Sequence, residues 1–325
     1  MIFFLLLTLR RRVIFADVKV YPSIDEFPGL PNAIVTIGTF DGVHAGHQEI
    51  IRKLVSLASE LKGETVLLTF FPHPRMVLQP EDNDLKLITT IKEREDLLRN
   101  FGIDHLIVQP FNKEFSRISA TKFVRDILMK KIGTKTLVIG YDHHFGRNRQ
   151  GSYKDLEEMA PIYKFRLEEI PEQIINHIAV SSTKIRNSLL TGDIKTANSL
   201  LEHDFSLSGN VIKGEQLGAG FGFPTANLFI PESYKLIPAD GIYAVIVNLE
   251  GEKFKGMLYI GNRPVLGGGS KSIEVNIFDM NRTIYGKNLQ VFLKERIRGD
   301  MNFENIDQLK EKMQEDQRNA TKILS

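Results

Sequence analysis

The spacing of apolar positions divides the chain in two. Ala33-Ile-Val-Thr-Ile37 is a continuous apolar run, the pattern of a strand covered on both faces. After it Ile50, Ile51, Leu54, Leu57, Ala58 and Leu61 recur at helical spacing, and Gly63 follows as a stop. Glu64 to Phe70 reads as the second strand of a βαβ unit, reached by a right-handed crossover. Thr90-Ile-Lys-Glu93 has the capping-box form and opens a helix that Gly102 ends. His105-Leu-Ile-Val108 is a strand. Ser119 to Ile132 is an amphipathic helix with Phe123, Val124, Ile127 and Leu128 inward, stopped by Gly133. Thr136-Leu-Val-Ile139 is another buried strand. Such alternation predicts a parallel sheet with helices on both faces, and ligands of such sheets bind beyond the carboxyl ends of the strands.

Beyond residue 205 the pattern shortens. Ser208–Ile212, Ala226–Ile230, Ile242–Leu249, Lys255–Ile260, Ile273–Phe278 and Leu289–Leu293 read as short strands parted by turn residues. No long helix interrupts them before Asp307–Leu324. This predicts a small antiparallel barrel closed by a terminal helix. The expected organisation is an α/β domain over residues 16–190, a helical connector over 191–205 with Gly192 as a break, and the barrel over 206–325. There is no internal repeat and no low-complexity stretch.

Composition narrows the function. The 325 residues are 42% apolar and 25% charged, ordinary for a globular protein. Lys+Arg numbers 42 against Asp+Glu 40, so no bulk charge points to nucleic acid or to an acidic membrane. The absence of cysteine removes disulfides, thiolate metal sites and a Cys nucleophile, and it fits a cytoplasmic setting. At the N-terminus Ile2 to Leu7 is apolar and Arg10-Arg-Arg12 follows it. That order reverses a secretory signal, and the run is far short of the ~20 residues of a membrane span. Residues 1–15 are therefore read as a short extension ahead of the domain.

The candidate chemistry of the first half lies in Gly38-Thr-Phe-Asp-Gly-Val-His-Ala-Gly-His47, just past the first buried strand. A glycine-rich turn feeding a helix N-terminus presents unpaired N–H groups and the positive end of the dipole, which suits a phosphate. Gly38, Gly42 and Gly46 allow close backbone approach and positive φ. His44 and His47 add hydrogen-bond donors for a phosphate whose charge changes during reaction. As metal ligands the two histidines need a third partner, and no acidic or cysteine cluster stands near. As structural histidines they leave the glycines unexplained. Val180-Ser-Ser-Thr-Lys-Ile-Arg186 precedes an apolar helical stretch, so its hydroxyls are read as lying at a helix start, with Arg186 one turn in. Three hydroxyls and an arginine look more like a second phosphate cradle than like a plain cap. Gly140 to Gly151 follows the Thr136–Ile139 strand, again at its carboxyl end. No P-loop motif occurs, and Gly218-Ala-Gly-Phe-Gly222 lacks the spacing and βαβ setting of a dinucleotide fingerprint.

Gly38-x-Phe-Asp-Gly-Val-His-x-Gly-His47, Phe71-Pro-His-Pro74, Phe145-Gly-x-x-Arg-x-Gly151 and Ser181-Ser-Thr-x-Ile-Arg186 occur in this order. Together they resemble the nucleotidyltransferase superfamily, in particular the N-terminal module of bifunctional riboflavin kinase/FAD synthetases. The resemblance implies transfer of AMP from ATP to FMN with release of pyrophosphate. It implies that His44 and His47 contact the triphosphate and stabilise the transition state, within a loop to which Gly38, Phe40, Asp41, Gly42 and Gly46 belong. Ser182, Thr183 and Arg186 would hold the β- and γ-phosphates. Pro72, His73, Pro74, Asp142 and Phe145 would lie near the adenine or flavin. Two positions depart from the pattern: asparagine often stands where Asp142 is, and many members carry an acidic residue where Phe71 sits.

In the second half Gly222-Phe-Pro-Thr-Ala-Asn227 begins a strand, with Pro224 fixing φ and Thr225 and Asn227 on one face. A hydroxyl and an amide oxygen there suit Mg²⁺ beside phosphates, although a turn entering a strand would read the same way. Glu274 and Asn276 share one face of their strand, on the ligand side if the barrel mouth holds nucleotide. With Ile242-Tyr243, Gly261-Asn-Arg-Pro264, Tyr285-Gly-Lys287 and Ile297-Arg298, these segments resemble the riboflavin kinase domain across 206–325. The resemblance implies phosphoryl transfer from Mg-ATP to the riboflavin 5′-hydroxyl. Thr225 and Asn227 would hold Mg²⁺ with ATP, and Glu274 would be the general base. Lys213 and Gly214 would form a flap over the phosphates, beside Gly222 and Pro224, and Arg298 would reach the flavin. Where the family carries Gly-Arg, this chain has Gly218-Ala219, a missing guanidinium that Lys213 would replace. The expected small-molecule partners are riboflavin, FMN and ATP, with FMN and FAD as substrate or product; neither nucleic acid nor membrane is expected, and self-association stays open. The alternatives are an adenylyltransferase with a non-catalytic flavin-binding barrel, and a nucleic-acid-binding barrel.

Overall fold

The computed structural model describes residues 17–81, 85–140, 143–213, 223–261, 271–301 and 303–325, with the backbone alone for 175–180. The expectations for residues 1–15, Asp142, Gly214, Ala219, Gly222 and 262–264 lie outside the described residues.

The first half is built on β1 (Lys19–Tyr21), β2 (Ala33–Ile37), β3 (Glu64–Phe71), β4 (His105–Pro110), β5 (Thr134–Gly140) and β6 (Arg166–Ile170). They pair in parallel in the order β1-β4-β3-β2-β5-β6. All of β2 is buried, as its apolar run requires of a central strand. From β2 the chain moves outward through β3 to β4 and then returns to β5 on the other side. The order therefore reverses between β2 and β5, which opens a crevice at their carboxyl ends.

Helix α1 (Ala45–Leu61) buries Ile50, Ile51, Leu54, Leu57 and Ala58 against the sheet. After β3 comes the short α2 (Pro74–Leu78). Helix α3 (Ile91–Asn100) starts on the expected capping box: Thr90 Oγ1 accepts from the Glu93 amide at 3.1 Å, and Glu93 Oε2 accepts from the Thr90 amide at 2.9 Å. The helix expected over 119–132 is α4 (Ala120–Lys122), which widens into a π-helix over Phe123–Ile132 and ends at Gly133 with φ 79°. Its wider ladder still turns Phe123, Val124 and Leu128 inward. Helix α5 (Tyr153–Tyr163) follows β5.

One expectation is corrected here. Ser182 and Thr183 do not lie at a helix start, because α6 runs unbroken over Glu172–Thr191 with Pro171 as N-cap. No glycine or proline interrupts residues 172–191, so the apolar spacing behind Ser181 extends forward as well as back. Gly192 then ends the helix in the left-handed region and α7 (Ile194–Leu201) begins, as a connector.

In the second half β7 (Ser206–Ile212), β8 (Ala226–Phe229), β9 (Gly241–Leu249), β10 (Glu252–Gly261), β11 (Ser272–Ile277) and β12 (Asn288–Arg298) close an antiparallel barrel. Strand β12 outruns its expected end at Leu293 because register shifts at 293/295 and 296/298 carry it to Arg298. Leu207, Val211, Val245, Leu258, Val275 and Val291 fill the interior. Helix α8 (Ile306–Ile323) packs outside, with Met313 and Ala320 over Ala244 and Met257. The face carrying Glu274 and Asn276 thus does not line an open barrel mouth. With the interior closed by apolar side chains, that face points outward and is covered at the side of the barrel.

Candidate active sites

After Ile37 the chain turns at the end of β2 and enters α1. Three residues of this turn have positive φ: Phe40 at 47°, Gly42 at 82° and Val43 at 42°. Gly42 alone of the expected glycines uses this freedom, and a Cβ there would meet the Ile88 side chain at 3.0 Å. At Gly38 a Cβ would press on the Phe40 ring at 2.9 Å. A β-branched residue in the left-handed region is a strained arrangement, and Val43 is wholly buried, so surrounding packing holds it.

His44 is the N-cap of α1 but its side chain caps nothing. The amides of Ala45, Gly46 and His47 consequently keep the donor character of a helix start. His44 Nε2 lies 2.8 Å from Ser182 Oγ on α6. The two imidazoles stack, centroids 3.8 Å and planes 21° apart, with Phe40 against His47 at 4.9 Å. Stacked rings do not converge on one ion, and among the described residues no group of three or more His, Asp or Glu could hold a metal. Burial first, then His44, Arg94 and Arg186, hold the His47 pKa well below its ordinary value. The ring is neutral at physiological pH, with a buried Nδ1 that finds no partner among the described residues.

Asp41 organises the rest. Its carboxylate accepts from the amides of Ile88 and Thr89, each at 3.0 Å, and pairs with Arg186 at 2.7 Å and with Arg94 at 3.7 Å. A carboxylate so placed orients cations rather than touching phosphate itself. Arg94 is 2% exposed and was not marked by the sequence; it follows the capping-box glutamate, and only its helical position turns it inward. Its second contact is Thr69 Oγ1 at 3.3 Å. Two guanidiniums against one carboxylate leave this pocket with a positive excess. Arg186 also donates to the carbonyls of Lys86 and Ser182. Thr183 is exposed on the same helix.

His73 caps α2 by accepting at Nδ1 from the Arg75 amide at 3.1 Å, with Pro74 at the first helical position and Pro72 exposed. Burial, opposed by Asp41 and aided by Arg186 and Arg94, brings its pKa down to about 4. The same groups surround His73 and His47, so the start of α2 faces the histidine loop. Phe145, expected near the adenine or flavin, is 7% exposed, packs on Phe123 at 5.7 Å and exchanges backbone bonds with Gly151. Its neighbour His143, half-buried, stacks on it and has a pKa near 4 through burial, His144 and Arg149.

In the barrel, Glu274 Oε1 accepts from Ser272 Oγ and Oε2 from Thr225 Oγ1, both at 3.0 Å. Glu274 stands opposite Asn227 in the β11–β8 register, and Asn276 donates to the Pro224 carbonyl at 2.7 Å. Thr225, Glu274 and Asn276 border a cavity of about 350 Å³ between β10, β11 and α8, which Met257, Tyr259, Arg298 and Phe303 also line. Pro224 and Thr225 further border a second cavity of about 350 Å³, with Val211, Arg282 and Tyr285. Thr225 therefore stands between a largely apolar space and a neighbouring one. Arg298 is held by two-pronged contact with Asp316 of α8, at 2.8 to 3.1 Å, and lies over the Phe303 ring. Lys213 is exposed at the end of β7.

Residues 28–184 match the FAD synthetase family and residues 201–324 match the riboflavin kinase family. The bifunctional riboflavin kinase/FMN adenylyltransferase of Buchnera aphidicola from Schizaphis graminum is 36% identical over 289 residues, 88% of this chain and 92% of that protein. The Escherichia coli K12 protein of the same name is 33% identical over 292 residues, 90% of this chain and 92% of its own. The chain belongs to the bifunctional riboflavin kinase/FMN adenylyltransferase family. The parallel-sheet half is its adenylyltransferase and the barrel its kinase, in the order the sequence implies. A crystal structure described as a macrolide-efflux protein from Streptococcus pneumoniae superposes with TM-score 0.81 at 30% identity, covering 94% of this chain and 99% of that one. Among the described residues of this chain no helix is long and apolar enough to cross a membrane.

Proposed function

We propose that FMN is adenylylated at the stacked His44–His47 pair, and that riboflavin is phosphorylated beside Glu274. One observation carries the first assignment. His44, Ser182 and Arg186 come together from α1 and α6, 138 residues apart at the closest pair, at the carboxyl end of β2 where the strand order reverses. An FMN phosphate oxygen attacks the α-phosphorus of ATP and pyrophosphate leaves. The attacking phosphate is already an anion, so no base is needed to activate it. Catalysis then comes from positioning and from donors aimed at the charge that develops. Neutral His47, the His44 ring, the α1 amides and Arg186 supply those donors, and Arg94 adds buried positive charge. His73 lies at the edge of the same pocket.

At the barrel, Glu274 accepts the proton of the riboflavin 5′-hydroxyl as that oxygen attacks the γ-phosphorus of ATP. Base catalysis of this kind contributes ~10²–10⁴ in rate. Mg²⁺ enters with ATP as part of that substrate and neutralises phosphate charge. The Thr225 hydroxyl and Asn227 amide oxygens fit a hard cation that keeps several waters. The flavin ring suits the cavity under α8, with Arg298 at its wall, and the nucleotide suits the neighbouring cavity across Thr225, near Lys213. Such an enzyme acts in the cytoplasm on riboflavin, FMN and ATP.

Purified protein is given ATP and Mg²⁺ with riboflavin, and separately with FMN. Glu274→Gln should abolish FMN formation and spare FMN-to-FAD conversion. His47→Ala should do the reverse. Full FAD synthesis by His47→Ala, or full FMN synthesis by Glu274→Gln, would refute the corresponding assignment.

A further inference from the structure

Lys235 belongs to the barrel half, on the segment between β8 and β9, yet its ammonium is buried in the other half. It meets Glu93 Oε2 at 2.6 Å, and the two side chains are 1% and 2% exposed. It also donates to the Ile88 carbonyl at 2.6 Å and stands 4.4 Å over the Phe205 ring. Around it the two halves share backbone bonds: the Leu87 amide donates to the Tyr234 carbonyl at 2.7 Å, and the Leu236 amide to the Leu87 carbonyl at 2.8 Å. Tyr234 packs on Phe71 at 4.9 Å, two residues before His73.

Ile88 is held from both sides. Its carbonyl accepts from Lys235, while its amide donates to Asp41 at 3.0 Å. Glu93 has a similar double engagement. One of its oxygens takes both Lys235 and the Thr90 amide, so the ion pair and the start of α3 share an anchor. The next residue, Arg94, points into the histidine pocket. A buried ion pair is a costly way to join two surfaces and contributes little net stability over apolar packing, but it fixes register tightly.

We propose that Lys235 is a positioning residue for adenylylation, supplied by the kinase half. It sets the place of residues 87–90, which set Asp41, which in turn aims Arg186 and Arg94 at the triphosphate. Lys235 touches no substrate. The proposal rests on the assignment of adenylylation to the histidine loop.

The test compares wild type, Lys235→Met and the double variant Lys235→Met/Glu93→Gln, as full-length chains. Lys235→Met should raise the ATP KM of FMN-to-FAD conversion at least fivefold and leave riboflavin phosphorylation within twofold. The double variant removes the unpaired buried carboxylate, so it should regain melting temperature while keeping the raised KM. Hydrogen exchange at the Ile88 and Thr89 amides should quicken in both. An ATP KM that is unchanged in Lys235→Met, or that returns to the wild-type value in the double variant, overturns the proposal. His47→Ala tests the underlying assignment separately, and the exchange at Ile88 and Thr89 reads the tether whichever reaction the pocket performs.

Discussion

Asp41 reaches across 145 residues of sequence to hold Arg186 at 2.7 Å. The aspartate is 4% exposed at its side chain and the arginine 23%, so the pair is poorly screened by water. Asp41→Ala strands two guanidiniums and two amides at once. Breaking such a pair from one side costs about 3–5 kcal/mol. The expected result is a lower melting temperature together with loss of FAD synthesis of about 10²-fold or more, as for removal of an electrostatic stabiliser. Steady-state assays of both reactions on the same sample check it; FMN formation should persist below the new melting point.

Gly42→Ala probes the turn itself. At φ 82° an alanine is strained, and its methyl would press on Ile88 at 3.0 Å. We expect about 1–3 kcal/mol of destabilisation and a larger defect in FAD formation than in FMN formation. Denaturant titration and the paired assays measure the two effects. Gly38→Ala has no φ penalty, but its methyl would press at 2.9 Å on the buried Phe40 ring that packs on His47, so its cost comes from displacing that ring alone.

Protonation gives a third prediction. Burial holds His73 and His143 at about 4, against an ordinary value of 6.5. Between those values the unfolded chain binds protons that the folded chain refuses. Stability conferred by the neutral rings is therefore full above pH 6.5 and falls as the pH drops toward 4. Calorimetry across that window should show a slope that flattens in His73→Gln/His143→Gln. His47, displaced in the same direction, adds to the slope that remains.

The pairing of Arg298 with Asp316 gives a fourth. Asp316 is 1% exposed and is contributed by α8, while Arg298 ends β12. Asp316→Ala should free the arginine and loosen α8 over the cavity. The riboflavin KM should rise with the ATP KM of FAD synthesis unchanged, and amides of α8 should exchange faster.

Much of this architecture was legible because burial imposes pattern. Ala33–Ile37 had to be a central strand, and Thr90 with Glu93 had to cap a helix. The elements missed carry weak patterns for a physical reason. Strand β1 is three residues long, and β6 reads Arg-Leu-Glu-Glu-Ile at the sheet edge, where one side meets solvent and charge is tolerated. Helix α6 was read as starting too late because hydroxyls that resemble a cap also fit mid-helix when a neighbour such as His44 takes their bonds. At the site, His44, His47 and Glu274 stood out by motif. Arg94 and Lys235 did not, because a buried charge is announced by its partner in space: Arg94 pairs with Asp41 and Lys235 with Glu93, each far away along the chain.

The barrel is solid. Its strands enclose Val245, Val247, Leu258 and Val291, each fully buried, and leave Glu274 and Asn276 on the flank beside α8. With riboflavin held there as proposed, it would enter by peripheral displacement of one helix while the cylinder stays shut. A catalyst arranged this way separates the part that must yield at each turnover from the part that keeps the chain folded.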